Sequence, residues 1–308
     1  MLYIDPNNLV IRKARRIFHS KMQDFVLARI DKLILSGKFS FFVEWCFSTL
    51  IYDKVDEILI GSPQTIFAIN DLLNPFILSE PELKKGIEFV FNYDSFIAKT
   101  NSRFDAYDLA ELLDINTCPY CNRNYTNTVI RTNGRKKIIR PQFDHYFDKG
   151  SNPLLALSFH NLIPSCSICN SSIKGTHKMN LNDYIHPYID NEINNIRFTY
   201  KYSLKSKTGL EIKVVTPDPS KLKNSVEAFA LEEVYNSHTS ELLDLLKTKQ
   251  YFSDRYLSIL ASNVLKGVIL SKEEIYQLVF GTEYDSANFI KRPFSKFKND
   301  ILKELGII

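Results

Sequence analysis

Residues 118–125 read Cys-Pro-Tyr-Cys-Asn-Arg-Asn-Tyr, and residues 160–174 read His-Asn-Leu-Ile-Pro-Ser-Cys-Ser-Ile-Cys-Asn-Ser-Ser-Ile-Lys. Each stretch holds one Cys-x-x-Cys turn, Cys118/Cys121 and Cys166/Cys169, which brings two thiolates to one side and supplies half of a tetrahedral site. Two such turns complete a four-cysteine zinc site with no open position, so the ion it implies is structural. The competing readings are a thioredoxin-like redox pair, which leaves the second turn unexplained, and four incidental cysteines. The 44 residues between Cys121 and Cys166 exceed the spacing of a compact zinc ribbon, so a segment is looped out between the two knuckles.

Outward from the cysteines, the pattern changes twice. Residues 125–131 and 136–143 alternate and are partly β-branched, and Asn133-Gly134 between them is a strong hairpin signal. A stretch punctuated by Gly, Pro and Asn follows from 150 to 164, and Ser165 is positioned to cap a short helix over 166–174. Before the cysteines, residues 8–112 read mainly as helix. Helical spacing covers 17–35 and ends at Gly37. Ser62-Pro63 opens a second helix, expected to stop before Pro75, and Ser79-Glu80-Pro81-Glu82 opens a third. A last short helix covers 106–113. After the module, 196–202 and 210–215 read as a strand pair, and Pro217-Asp218-Pro219 as a break. Helical pattern resumes over 231–247, 271–280 and 295–305. There is no internal repeat and no low-complexity segment. The fold class expected is α+β, mostly α, in three regions: 1–112 helical, 113–190 bearing the cysteines, and 191–308 with a strand pair and then helices.

With 44% hydrophobic and 24% charged residues, the 308-residue chain has the composition of an ordinary globular protein with a sizeable core. The net charge of +4 points only weakly to a polyanionic partner. Basic residues cluster at Arg12, Lys13, Arg15 and Arg16, at Arg131, Arg135, Lys136, Lys137 and Arg140, and at Lys291, Arg292, Lys296 and Lys298. The two outer clusters read as solvated faces. The middle one leads into the looped-out segment, which makes Lys137 and Arg140 candidates for phosphate contact. Residues 1–16 lack the continuous apolar run of a signal peptide, and the apolar stretch 39–52 is interrupted by Glu44 and too short to span a bilayer. A cytoplasmic, reducing location without membrane attachment is the expectation. There, paired cysteines signify metal or redox chemistry more often than disulfides.

The looped-out segment contains Phe143-Asp144-His145-Tyr146-Phe147, then His160-Asn161-Leu162-Ile163-Pro164, and it leads into Cys169-Asn170-Ser-Ser-Ile-Lys174. Asp-His, then Asn-Leu, then Cys-x-x-Cys-Asn-x-x-x-Lys resembles the signature of the HNH (ββα-metal) nucleases in their zinc-stapled form, over residues 118–178. The resemblance implies a ββα-metal module flanked by helical regions, with one divalent cation, Mg2+ or Mn2+, beside one histidine. It implies His145 as general base, Asp144 and Asn170 as cation ligands, and Asn161 as a brace on the loop that carries the base.

The residue types suit that chemistry by themselves. Carboxylate and amide oxygens match a hard cation, and an imidazole can take a proton from water near neutrality. Neighbouring residues on a strand point to opposite faces, so Asp144 and His145 are expected at a strand end or bulge. On a helix Asn170 and Lys174 share a face, which offers Lys174 to phosphate. His160, His177 and His186 read as structural, and His19 and His238 as residues of helical segments.

The run Cys-Pro-Tyr-Cys-Asn-Arg-Asn-Tyr, with the later Asn-Leu-Ile-Pro-Ser-Cys, is also similar to HNH proteins of bacterial phage-defence and retron-type operons, which often work beside an ATPase. The expected function is a one-metal endonuclease acting on nucleic acid, DNA before RNA. The alternative is a non-catalytic zinc-stabilised nucleic-acid-binding module or partner subunit. A dimer would let two single-cut sites act on opposite strands, though nothing in the sequence demands one.

Overall fold

Apolar residues at helical spacing from Ile11 to Leu33 form one buried stripe of the longest helix, α1 (Leu9–Leu35). The computed structural model describes residues 1–99, 103–131, 133, 136–217, 221–251 and 271–308. Helix α1 begins well before residue 17 because Asn8 caps it, its side chain accepting from the Val10 N–H at 2.9 Å. Arg12, Lys13, Arg15 and Arg16 fill the outer face of these first turns around buried Ile11 and Ala14 and so obscure the periodicity.

Shorter helices follow: α2 (Phe41–Trp45), α3 (Val55–Ile60), α4 (Pro63–Ser79), α5 (Pro81–Val90), α6 (Tyr93–Ile97) and α7 (Ala106–Leu113). Helix α4 does not stop before Pro75. It loses one hydrogen bond there but continues, anchored on either side by buried Ile66 and Ile77. At α7, Asp105 and Asp108 form a reciprocal capping box.

The middle of the chain is built from two short antiparallel pairs. β1 (Val129–Ile130) meets β2 (Lys137–Ile139) with an irregular register, and Gly134 and Arg135 of the expected turn lie outside the described residues. The strand expected over 136–143 divides at Arg140-Pro141, where proline has no N–H for a ladder. β3 (Gln142–His145) then pairs with β4 (Leu162–Ser165), Gln142 opposite Ser165 and His145 opposite Leu162. A π-helical turn, Ile168–Lys174, follows β4 directly. Ser165 does not cap it. Its hydroxyl lies on the Gln142 carbonyl across the strand pair at 3.4 Å.

β5 (Arg197–Tyr202) and β6 (Leu210–Val215) pair along their full length. Asp218 and Pro219 of the expected break lie outside the described residues. Helices α8 (Lys221–Ala228), α9 (Leu231–Asn236), α10 (Thr239–Tyr251), α11 (Lys272–Phe280) and α12 (Ser295–Glu304) complete the chain. The helix expected over 231–247 is thus two helices, separated at Ser237-His238.

One hydrophobic core unites α1 to α7 with the cysteine-bearing segment. Phe18 and Phe159 meet edge to face at 5.5 Å, the Ser158 hydroxyl donates to Ile58 O, and His160 Nδ1 lies 2.7 Å from Gly61 O. The N-terminal helices therefore form the wall on which the module's long loop rests. A second core joins β5 and β6 to α10, α11 and α12. Among the described residues the sheets are three separate pairs with no closed barrel, and no helix is long and apolar enough to cross a membrane.

Candidate functional site

The first cysteine pair sits in a tight hairpin closed by the Thr117–Tyr125 bridge and by the Cys118 N–H on Asn124 O at 3.0 Å. Asn122 takes up the left-handed conformation (φ 48°) that the reversal requires. Its fully buried side chain donates to Phe289 O (2.9 Å) and Arg292 O (3.2 Å) and accepts from the Lys296 N–H (3.1 Å). Tyr235 adds a hydroxyl bond to Cys121 O at 2.6 Å. The second pair begins where β4 ends.

The sulfurs of Cys118, Cys121, Cys166 and Cys169 are buried and lie within 4.8 Å of one another. Tetrahedral zinc with bonds of about 2.3 Å needs sulfur separations of about 3.8 Å, so the cluster could bind one zinc ion with every position filled. Donors already face the sulfurs: Arg123 N–H on Cys121 (3.4 Å), and Cys169 N–H (3.4 Å) and Asn124 Nδ2 (3.3 Å) on Cys166. The four thiols share their protons unevenly: hydrogen bonds from the other three, Cys118 first, push Cys166 well down, while burial raises Cys118 and hydrogen bonds from its neighbours, Cys118 first, raise Cys169.

Asp144 and His145 are the last two residues of β3, at the strand end where both reach one cleft. His145 Nε2 lies 3.0 Å from Ala156 O. A carbonyl can only accept, so Nε2 carries the proton and Nδ1 holds the lone pair. Burial pushes the imidazole down to about 4, an effect the Ala156 bond partly offsets, and the ring is neutral at pH 7. Tyr93 of α6 holds the ring edge-on at 4.4 Å.

The Asp144 carboxylate is buried and has a partner on each oxygen. Tyr120 OH donates to Oδ2 at 2.6 Å, and Lys174 Nζ meets Oδ1 at 2.7 Å. Lys174 Nζ also donates to His145 O at 2.6 Å. Asn161, fully buried, clamps the loop between β3 and β4: Oδ1 accepts from Phe147 N–H (2.7 Å), and Nδ2 donates to Phe147 O (3.1 Å) and Leu155 O (2.9 Å). Asn170, on the π-helical turn, donates through Nδ2 to Gln142 Oε1 at 2.9 Å, which leaves its Oδ1 as an acceptor.

These elements line a cleft of about 550 Å³ that contains Asp144, His145, Asn170 and Lys174 together with Arg140, Lys149 and Lys178. Cations outnumber the two aspartates on its walls, Asp144 and Asp148, as suits an anionic ligand. Two of the expected phosphate contacts need correction. Lys137 turns inward, 7% exposed, onto Asp105 (2.7 Å) and Asp108 (3.0 Å), and so braces α7. The Lys174 ammonium is 4% exposed and committed to Asp144 and His145 O. Arg140, half-buried over the Tyr107 and Phe143 rings, stays at the cleft.

His160 and His186 are buried structural rings, on Gly61 O and beneath the Tyr188 N–H respectively. Tyr120, Tyr93, Lys149 and Lys178 carry no motif that singles them out, and only the fold brings them here.

No family model matches the chain, and no solved structure matches it. The chain is similar to the Septu protein PtuB of Bacillus thuringiensis, at 29% identity over 134 residues. That stretch is 44% of this chain and 46% of PtuB, so the match spans just under half the length of that relative.

Proposed function

We propose that this chain is a metal-dependent endonuclease of the HNH (ββα-metal) kind that cuts DNA in anti-phage defence. The observation that carries the reading is the convergence of Asp144, His145 and Asn170, from a β-β-helical-turn succession, on one cation-rich cleft beside a four-cysteine cluster. Similarity to a Septu protein, a phage-defence protein, supports the biological setting, and an ATPase or other protein of the same operon is the partner to expect.

Asp144 and Asn170 would hold one Mg2+ or Mn2+, which when bound polarises the scissile phosphate and stabilises the leaving oxygen. His145 takes the proton of the attacking water at Nδ1, the nitrogen that Ala156 leaves unprotonated. Asn161 keeps Ala156 in place by clamping its loop. Arg140, Lys149 and Lys178 grip the flanking phosphates and align the strand without reading its sequence. Zinc on the four cysteines fixes the end of β4 and the π-helical turn.

The test is plasmid cleavage by the purified chain with Mg2+ or Mn2+, with EDTA and His145→Ala as paired controls. Cutting that requires both the cation and His145 supports the reading, whereas cutting that survives His145→Ala overturns the assignment of the base. A second reading, a nucleic-acid-binding partner subunit with a silent site, is favoured by one observation: the Lys174 ammonium already occupies Asp144 Oδ1. Intact DNA binding with no cleavage under any divalent cation would select it.

A further inference from the structure

We infer that Tyr120 is a positioning residue for Asp144, through which seating of the cysteine cluster is coupled to cation binding in the cleft. This rests on the nuclease reading above. Tyr120 lies between Cys118 and Cys121, so its backbone cannot shift without moving both sulfurs. Its ring is 1% exposed and stacked on Phe229, with centroids 4.2 Å apart and planes at 21°. That stacking fixes where the hydroxyl points, and it points at a carboxylate: Asp144 Oδ2, at 2.6 Å.

A tyrosine that merely fills the core could satisfy its hydroxyl on any nearby carbonyl. Here it holds one oxygen of the proposed cation ligand, which sets the rotation of the carboxylate and leaves Oδ1 to Lys174 Nζ, both residues belonging to the cleft wall. Fixing a ligating carboxylate in this way raises its affinity for a metal, and loss of such a partner typically weakens binding by about 10- to 100-fold. Cysteine ligation and carboxylate orientation therefore share one rigid residue.

Tyr120→Phe removes a single oxygen and keeps the stacked ring. The full chain and this variant are compared for zinc content, for Mn2+ affinity by electron paramagnetic resonance, and for cleavage as Mn2+ is titrated. The expected result is an unchanged zinc content with Mn2+ bound about tenfold more weakly. Cleavage is expected to fall at limiting Mn2+ and to return close to the wild-type rate at saturation. Equal Mn2+ affinity in the two proteins, with zinc retained, overturns the inference and leaves the nuclease reading standing. Wild-type protein that holds zinc and binds no Mn2+ overturns both. Should the variant fail to fold, the wild type alone decides. Its Mn2+ affinity is measured before and after zinc is withdrawn by a chelator, with circular dichroism reporting retained secondary structure. Weaker binding after withdrawal supports the coupling, and unchanged binding overturns it.

Discussion

His145 Nε2 and the carbonyl of Ala156 lie 3.0 Å apart, and this one bond determines which ring nitrogen carries the proton and which keeps its lone pair. Ala156 belongs to the loop that Asn161 clamps, so the orientation of His145 depends on that loop and not on β3 alone.

Asn161→Ala is therefore expected to damage stability and chemistry together. It strips the partners of Phe147 N–H and Phe147 O, while Leu155 O keeps the Ser158 N–H at 3.2 Å, at about 1–3 kcal/mol for each buried group left unpaired. Urea melts should show a loss on the order of 3 kcal/mol, and cleavage should fall even at temperatures where the variant is folded. A variant as stable as the wild type would refute the clamp.

Lys174→Met leaves the buried Asp144 carboxylate without its ammonium, a change that costs about 3–5 kcal/mol when one partner of a buried pair is removed. If a divalent cation binds at Asp144, Mn2+ should restore part of that loss. Thermal melts with and without Mn2+ are the measurement, and the rise in Tm should be larger in the variant than in the wild type. An identical rise in both proteins would place the cation elsewhere.

The wall cations make a prediction about salt. Arg140→Ala and Lys178→Ala should each weaken DNA binding and reduce the slope of log K against log salt by about one. Lys137→Met should leave the slope alone and lower the melting temperature, because its ammonium is used on Asp105 and Asp108. A changed slope in Lys137→Met would contradict the inward orientation.

Acid should unfold the protein early. Burial holds His160 down at about 4 and His186 at about 3, against 6.5 for a free imidazole. Between those values the unfolded chain binds protons that the folded chain refuses, so stability is full above pH 6.5 and falls as the pH drops towards 4. Each pH unit in that interval removes about 1.4 kcal/mol per histidine, so the loss is on the order of 3 kcal/mol for His160 alone. Urea midpoints at pH 7.5 and pH 5 read the part already lost by pH 5, about 2 kcal/mol for His160, and equal midpoints would exclude it.

What the sequence discloses here follows from range. Cys118, Cys121, Cys166 and Cys169 announce themselves because a knuckle is a local turn, and β5 and β6 because alternation is local as well. Asp144, His145, Asn161 and Asn170 stand out by order along the chain, and the fold gathers Asp144, His145 and Asn170 at one cleft with Asn161 in the loop behind it. Tyr120 stays hidden because its meaning depends on a carboxylate 24 residues away on another element. Lys137 and Lys174 show their charge in the sequence but not their direction, which depends on Asp105, Asp108 and Asp144 waiting in the interior. Pro75 misleads because helix termination is a local preference, and buried Ile66 and Ile77 outweigh it.

Besides the local bond to Thr117, the Asn122 side chain has partners 167 to 174 residues further along the chain, at Phe289, Arg292 and Lys296. A ribosome makes the knuckle long before it makes the segment that seats it, and a nascent chain folds from its earlier parts first. Until residues 289 to 296 have emerged, the buried amide of Asn122 lacks its full set of backbone partners from that segment. A chain released early by a premature stop codon would carry every ligand of the cysteine cluster and the cleft, yet lack the peg that locks the first knuckle in place.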